Sequence, residues 1–166
     1  MNRKTCKTAF VTVGTTKFDE LVLEVTKPST LDLLHRVGYE RVVVQFGSGI
    51  APKADRAGLV CFDFKNDLST DMKAADLIIS HAGAGSILEA VRCRQAKVIV
   101  VTNETLLDNH QAELADAMHD AGHLLRTNLA GLQEAIEKIP SEVFIPFPDF
   151  EPEKFPELLN NILGCK

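Results

Sequence analysis

Five short runs rich in β-branched and other apolar residues punctuate this chain: TAFVTVG (8–14), RVVVQFG (41–47), GLVCFDF (58–64), LIIS (77–80) and KVIVV (97–101). A strand with one wet face alternates apolar with polar residues, so runs that lose this alternation belong to strands covered on both faces. Between them the apolar residues change to helical spacing. Phe18, Leu21, Val22 and Val25 form one stripe, and Leu31, Leu34 and Val37 a second, opened by Pro28-Ser29-Thr30 and stopped by Gly38. Further helices are predicted over 67–75, 86–94, 109–121 and 129–139, with HLLR (123–126) as a short sixth strand. Parallel neighbours need a crossover, and the crossover is usually a helix. The pattern therefore predicts an α/β fold, a Rossmann-like doubly wound and mostly parallel sheet.

At 166 residues the chain is long enough for one domain and short for two. We place that domain at residues 1–150. The remainder follows a proline-rich arm, with five of the seven prolines between positions 140 and 156. In residues 151–166, Phe155, Leu158, Leu159, Ile162 and Leu163 fall on one helical stripe, either packing on the domain's own sheet or docking a partner.

Composition excludes several classes. Eighteen basic against twenty-three acidic residues give a net charge of −5, with no basic block to mark a nucleic-acid surface. No apolar run approaches the roughly 18–20 residues of a membrane span, and the amino terminus lacks the core of a signal peptide. A cytoplasmic chain is expected. Cys6, Cys61, Cys93 and Cys165 are scattered, and the five histidines carry no HExxH or CxxC companion, so neither a metal nor a bound cofactor is expected.

In an open α/β sheet, ligands sit beyond the carboxyl ends of the strands. Loops 14–17, 47–53, 81–86 and 102–109 should gather there. The turn HAGAGS (81–86) puts two glycines and two alanines between a strand and a helix, where bare backbone amides can meet an anion. A helix start adds a partial positive charge that stabilises an anion by about 0.3–1 kcal/mol, and about 2 when partly buried. The alternative is purely structural: Ser86 and Glu89 fit a capping box, with Ser86 as cap. Asp108 and Gln111 fit a second such box. Gly14-Thr15-Thr16 forms another small turn after the first strand. The spacing is neither GxGxxG nor a P-loop, which disfavours nicotinamide cofactors and ATP. His81 and His110 fall at the loop-rich edge, whereas His35, His119 and His123 do not.

Taken together, AADLIISHAGAGSILEAV and, some twenty residues on, LLDNHQAELADAM resemble the nucleotide-sugar-binding half of GT-B glycosyltransferases. More narrowly the chain resembles the catalytic subunits, of the family 28 C-terminal type, that add the second GlcNAc to dolichyl-diphosphate-GlcNAc. The resemblance covers roughly residues 8–125. It implies an inverting transfer of GlcNAc from UDP-GlcNAc. It also implies that Gly14, Thr15 and Thr16 border the donor diphosphate, and that His81, Ala82, Gly83, Ala84, Gly85 and Ser86 meet diphosphate and sugar through their backbone. Glu89 would accept the ribose hydroxyls, and Asn109, His110 and Gln111 would face the sugar. Thr102-Asn103-Glu104 stands where the family often has a proline. The lipid acceptor would be held by a separate membrane-anchored subunit that recruits this chain to the cytosolic face of the endoplasmic reticulum. The general base is expected on that partner or at the interface, with His81 and His110 as the catalytic candidates here. A non-enzymatic nucleotide-sugar-binding module of the same fold is the alternative.

Overall fold

The computed structural model describes residues 6–53, 55–103 and 109–148, the last segment without the side chains of Asn109, His110 and Gln111. Six strands form one sheet: β1 (Lys7–Thr12), β2 (Tyr39–Gln45), β3 (Leu59–Phe62), β4 (Leu77–His81), β5 (Lys97–Thr102) and β6 (Leu125–Asn128). Their order across the sheet is β3-β2-β1-β4-β5-β6, and every pairing is parallel. The helices are α1 (Asp19–Thr26), α2 (Pro28–Arg36), α3 (Ser69–Ala74), α4 (Ala84–Arg92), α5 (Asn109–Asp120) and α6 (Leu132–Lys138), followed by a 3-10 turn, Ile139–Ser141. The doubly wound fold expected from the sequence is the one observed.

Two cores explain why the central strands lack alternation. Ala9, Val11, Leu77, Ile79, Ile99 and Val101 face α1, α2 and α6, whereas Phe10, Ile78, Val98 and Val100 face α3, α4 and α5. Each of these side chains larger than alanine, fully removed from water, contributes about 1.5–3 kcal/mol before the entropy of ordering it is counted. Pro28 separates α1 from α2, because the residue before a proline is pushed out of helical geometry; Lys27 is accordingly extended.

Boundaries moved where local signals misled. The first strand ends at Thr12 rather than at residue 14, and the sixth runs over Leu125–Asn128 rather than 123–126. Helix α4 begins at Ala84, two residues before the predicted start. Beyond the 3-10 turn the chain runs as an irregular arm. Phe144 packs on one core and Phe147 on the other, with Ile145 hydrogen-bonded to Gly122 and His123, so the arm passes between the two faces at the amino-terminal ends of β5 and β6. There the Lys97 ammonium donates to three carbonyls, those of Ile139 (2.6 Å), Pro140 (3.3 Å) and Glu142 (2.9 Å). The helix expected over 151–166 lies outside the described residues. No helix among those described is long and apolar enough to cross a membrane.

Candidate functional site

Strands β1 and β4 lie side by side at the centre, and the chain winds outward from them in opposite directions, β1 towards β2 and β4 towards β5. This is the point in an open sheet where the loops diverge and leave a crevice. A cleft of about 500 Å³ opens there, larger than two others of about 360 and 250 Å³. Its walls hold Gly14, Thr15, Thr16, His81, Gly83, Gly85, Ser86 and Glu89, so the structure brings together residues predicted from two separate motifs.

The turn after β1 is held from within. Gly14 has φ +62°, a left-handed conformation that favours glycine. Its N–H donates to the Thr12 hydroxyl (3.1 Å), and the N–H and hydroxyl of Thr16 both donate to the Val13 carbonyl (3.2 and 2.8 Å). Of the amides and hydroxyls that the turn was expected to offer an anion, those of Thr15 remain unused among the described residues.

On the other side of the crevice, Gly83 occupies the cap position of α4 with extended backbone, and no side chain caps the helix. The capping box that was the structural alternative for Ser86 and Glu89 is not formed. Ser86 falls inside the first turn, because the helix starts early. The first intrahelical bond runs from the Ile87 N–H to the Gly83 carbonyl (2.9 Å), leaving the amides of Ala84, Gly85 and Ser86 without an acceptor among the described residues. They are orphan donors at the positive end of a helix dipole.

His81 lies between the two turns, with 9% of its surface exposed. A Cβ on Gly14 would stand 2.7 Å from the imidazole Cε1, and one on Gly83 would overlap Nε2. These two glycines therefore make room for His81, a packing role beside the ligand access that their sequence suggested. Gly85 does fit that reading: a Cβ there meets nothing within 4 Å. Burial pushes the imidazole pKa below 6.5, opposed in part by the Thr12 carbonyl, and Nδ1 is buried with no hydrogen-bond partner.

Glu89 is exposed, one helical turn beyond Gly85, and its carboxylate makes no hydrogen bond or ion pair with any described residue. A third wall was not foreseen. Residues 64–68, after β3, close the cleft, with Phe64 57% exposed at its mouth. Lys65 is tied to Asp71 (2.9 and 2.8 Å) with its ammonium 4.1 Å from the centre of the Phe62 ring. Asp67 accepts from the N–H and hydroxyl of Ser69 (2.8 and 2.9 Å), which lower its carboxyl pKa, and so fixes the start of α3. These residues carry no motif. The signal was positional, since they follow the carboxyl end of a strand.

Loop 47–53, by contrast, contributes no wall. It turns away because the Ile50 N–H donates to the Asp19 carboxylate (2.9 Å) at the start of α1, while Gly47 backs the Gly14 turn, where a Cβ would stand 2.5 Å from the Thr16 carbonyl oxygen. Of loop 102–109, residues 104–108 lie outside the described residues, and with them the proposed cap Asp108. Asn109, His110 and Gln111 begin α5 at the same edge of the sheet, their side chains likewise outside the description. No cluster of three or more His, Cys, Asp or Glu that could hold a metal occurs among the described residues.

Known proteins resemble this chain in sequence and in fold. The family model of the glycosyltransferase family 28 C-terminal domain matches residues 8–148. A mouse protein named UDP-N-acetylglucosamine transferase subunit ALG13 is 47% identical over 122 residues, 71% of this chain but 10% of the mouse protein. The chain thus spans about a tenth of that relative's length. A Cryptococcus neoformans protein of the same name is 31% identical, with 95% of this chain and 96% of its own length covered. An NMR solution structure of ALG13 superposes with a TM-score of 0.68 at 27% identity, covering 92% of this chain and 94% of its own. The chain belongs to the glycosyltransferase family 28 C-terminal domain family.

Proposed function

We propose that this chain is the donor-binding, catalytic subunit of a two-component inverting glycosyltransferase that moves GlcNAc from UDP-GlcNAc to dolichyl-diphosphate-GlcNAc. The observation that carries the reading is the uncapped start of α4, three orphan amides in the crevice, with the unpartnered carboxylate of Glu89 one turn beyond. The relatives' name, a UDP-N-acetylglucosamine transferase subunit, supports both the donor and the need for a partner.

A diphosphate seated on the amides of Ala84, Gly85 and Ser86 puts the adjoining ribose near Glu89, whose two oxygens can accept both hydroxyls. Loop 64–68 then lies on the side left for the base. Asn109, His110 and Gln111 open the helix on the opposite flank of β4, where the sugar would extend. In the transfer the acceptor hydroxyl attacks the anomeric carbon from the face opposite the diphosphate. The bond from that carbon to the diphosphate oxygen breaks, UDP leaves with the electron pair, and a β1,4 link forms. Negative charge grows on the leaving oxygen, and fixed helix-end dipoles stabilise it without having to reorganise.

The hydroxyl proton goes to a general base. His81, buried with both turns packed against its ring, is built to space those turns, so we assign the base to the partner or to His110. That partner, a membrane-anchored subunit holding the lipid, would bring this chain to the cytosolic face of the endoplasmic reticulum, with residues 151–166 as its dock.

Titrating the chain with UDP-GlcNAc, UDP-glucose and NAD, while following the amides of Ala84–Ser86, tests the site. UDP-GlcNAc should move them and NAD should not; the reverse overturns the reading. Adding the membrane partner and lipid-linked GlcNAc should then yield transfer. Donor binding without transfer would leave a nucleotide-sugar-binding module.

A further inference from the structure

We infer that Gln45 is a positioning residue that sets two walls of the donor cleft at once, coupling the turn under the diphosphate to the loop beside the base. The inference rests on the donor reading of the cleft. Gln45 ends β2 and is 1% exposed. A buried primary amide is costly unless its two N–H groups and its oxygen lone pairs are all engaged. Here they are. Oε1 accepts from the Thr12 hydroxyl (2.7 Å) and the Val13 N–H (3.2 Å), and Nε2 donates to the carbonyls of Gly14 and Asp63 (both 2.8 Å).

Three of these four partners belong to the last residue of β1 and the turn that follows it. The fourth, Asp63, immediately precedes the 64–68 wall. Among the described residues no other side chain hydrogen-bonds to both segments. One planar amide therefore fixes the distance between a turn that ends at Thr16 and a loop that begins at Phe64, and a shift of either is transmitted to the other. Gln45 lies at the floor of the cleft, but all four of its bonds are spent on protein groups, so it acts through its neighbours.

Gln45→Glu tests this with almost no change of shape. The carboxylate keeps the acceptor but loses both donors, and sets a negative oxygen against two carbonyls, with no charged side chain among its partners to relieve it. Burial raises the pKa of such a carboxyl, and once protonated it can donate to one of the two again. We expect UDP-GlcNAc affinity to fall at least tenfold relative to wild type at pH 8 and to recover in part at pH 5.5. A purely structural loss has no reason to show that recovery. Hydrogen exchange should rise together in residues 13–16 and 64–68. Wild-type affinity at both pH values, or loosening of one segment alone, overturns the inference. If wild type takes up no UDP-GlcNAc, the donor reading falls, while joint loosening still upholds the coupling. Should Gln45→Glu not fold, Thr12→Val removes one of the four bonds together with the acceptor of the Gly14 N–H, so the turn loosens directly and a several-fold rise in exchange at 64–68 is the result expected of the coupling; an unchanged 64–68 overturns it.

Discussion

The imidazole Nε2 of His81 occupies the space that a side chain on Gly83 would need. The last residue of β4 and the cap of α4 are thus matched in shape, and the loop reaches its helix through a gap that only glycine leaves. Gly83→Ala should cost about 1–3 kcal/mol through overpacking. In a His81→Ala background the same substitution should cost well under 1 kcal/mol. Urea unfolding of the four proteins measures the coupling, and equal costs in both backgrounds would refute the match.

The same burial makes His81 a pH-sensitive element of stability. Its folded pKa lies below 6.5, so below that pH the unfolded chain binds a proton that the native state refuses. Stability from this residue is complete above the ordinary imidazole value and is lost as the pH falls from there towards the folded pKa. The carboxylates with lowered pKa, among them Asp19, Glu24 and Asp67, lose their contribution at still lower pH. Unfolding free energies at pH 7.5 and 5.5 should therefore fall more for wild type than for His81→Asn. A larger drop in the variant would show the imidazole to be stabilised by its proton.

The sequence was most legible where burial is two-sided. Phe10, Ile78 and Val100 face one core and Val11, Ile79 and Val101 the other, so the central strands announced themselves without alternation. Edge strands were harder: β6 pairs with β5 alone, and its register, Leu125 opposite Ile99, is set by that neighbour. The apolar Leu124 drew the expectation too early, although it packs beneath the sheet before the strand begins. At the site, Ser86 and Glu89 have the spacing of a cap, but the helix starts where His81 and Gly83 fit together, a contact that no local pattern encodes. Gln45 shows the same limit, since its bond to Asp63 spans 18 positions and ties the end of β2 to the loop after β3.

Glu89 separates function from stability. It is exposed, and its carboxylate has no partner among the described residues, so Glu89→Ala should leave the unfolding free energy within about 0.5 kcal/mol of wild type. In the reconstituted complex the same change should cut kcat/KM at least tenfold, because each charge-assisted bond to a ribose hydroxyl contributes about 1.5–3 kcal/mol. Wild-type kinetics would remove Glu89 from the site. A large loss of stability would instead make it a structural residue.

Lys97 is the corresponding case at the opposite end of the sheet. Its ammonium meets three carbonyls of the 3-10 turn and arm, with no carboxylate among these partners, so it holds main chain rather than balancing charge. The arm has few other polar ties: the Ile145 N–H donates to the Gly122 carbonyl (2.9 Å), and the Ile145 carbonyl accepts from His123 Nδ1 (2.8 Å). Lys97→Met keeps the aliphatic stem and removes all three donors. Hydrogen bonds of charged groups contribute about 1.5–3 kcal/mol, and the carbonyls left behind can be met by water where the arm is exposed, so the net loss should be about 1–3 kcal/mol. Amide exchange at Ile145 should quicken by a larger factor than that of Val100, which, in the centre of the sheet, follows global stability alone. UDP-GlcNAc affinity should not change, since the cleft lies at the other edge. Equal acceleration at both amides would mean that the arm and the sheet open together and that Lys97 is no separate latch.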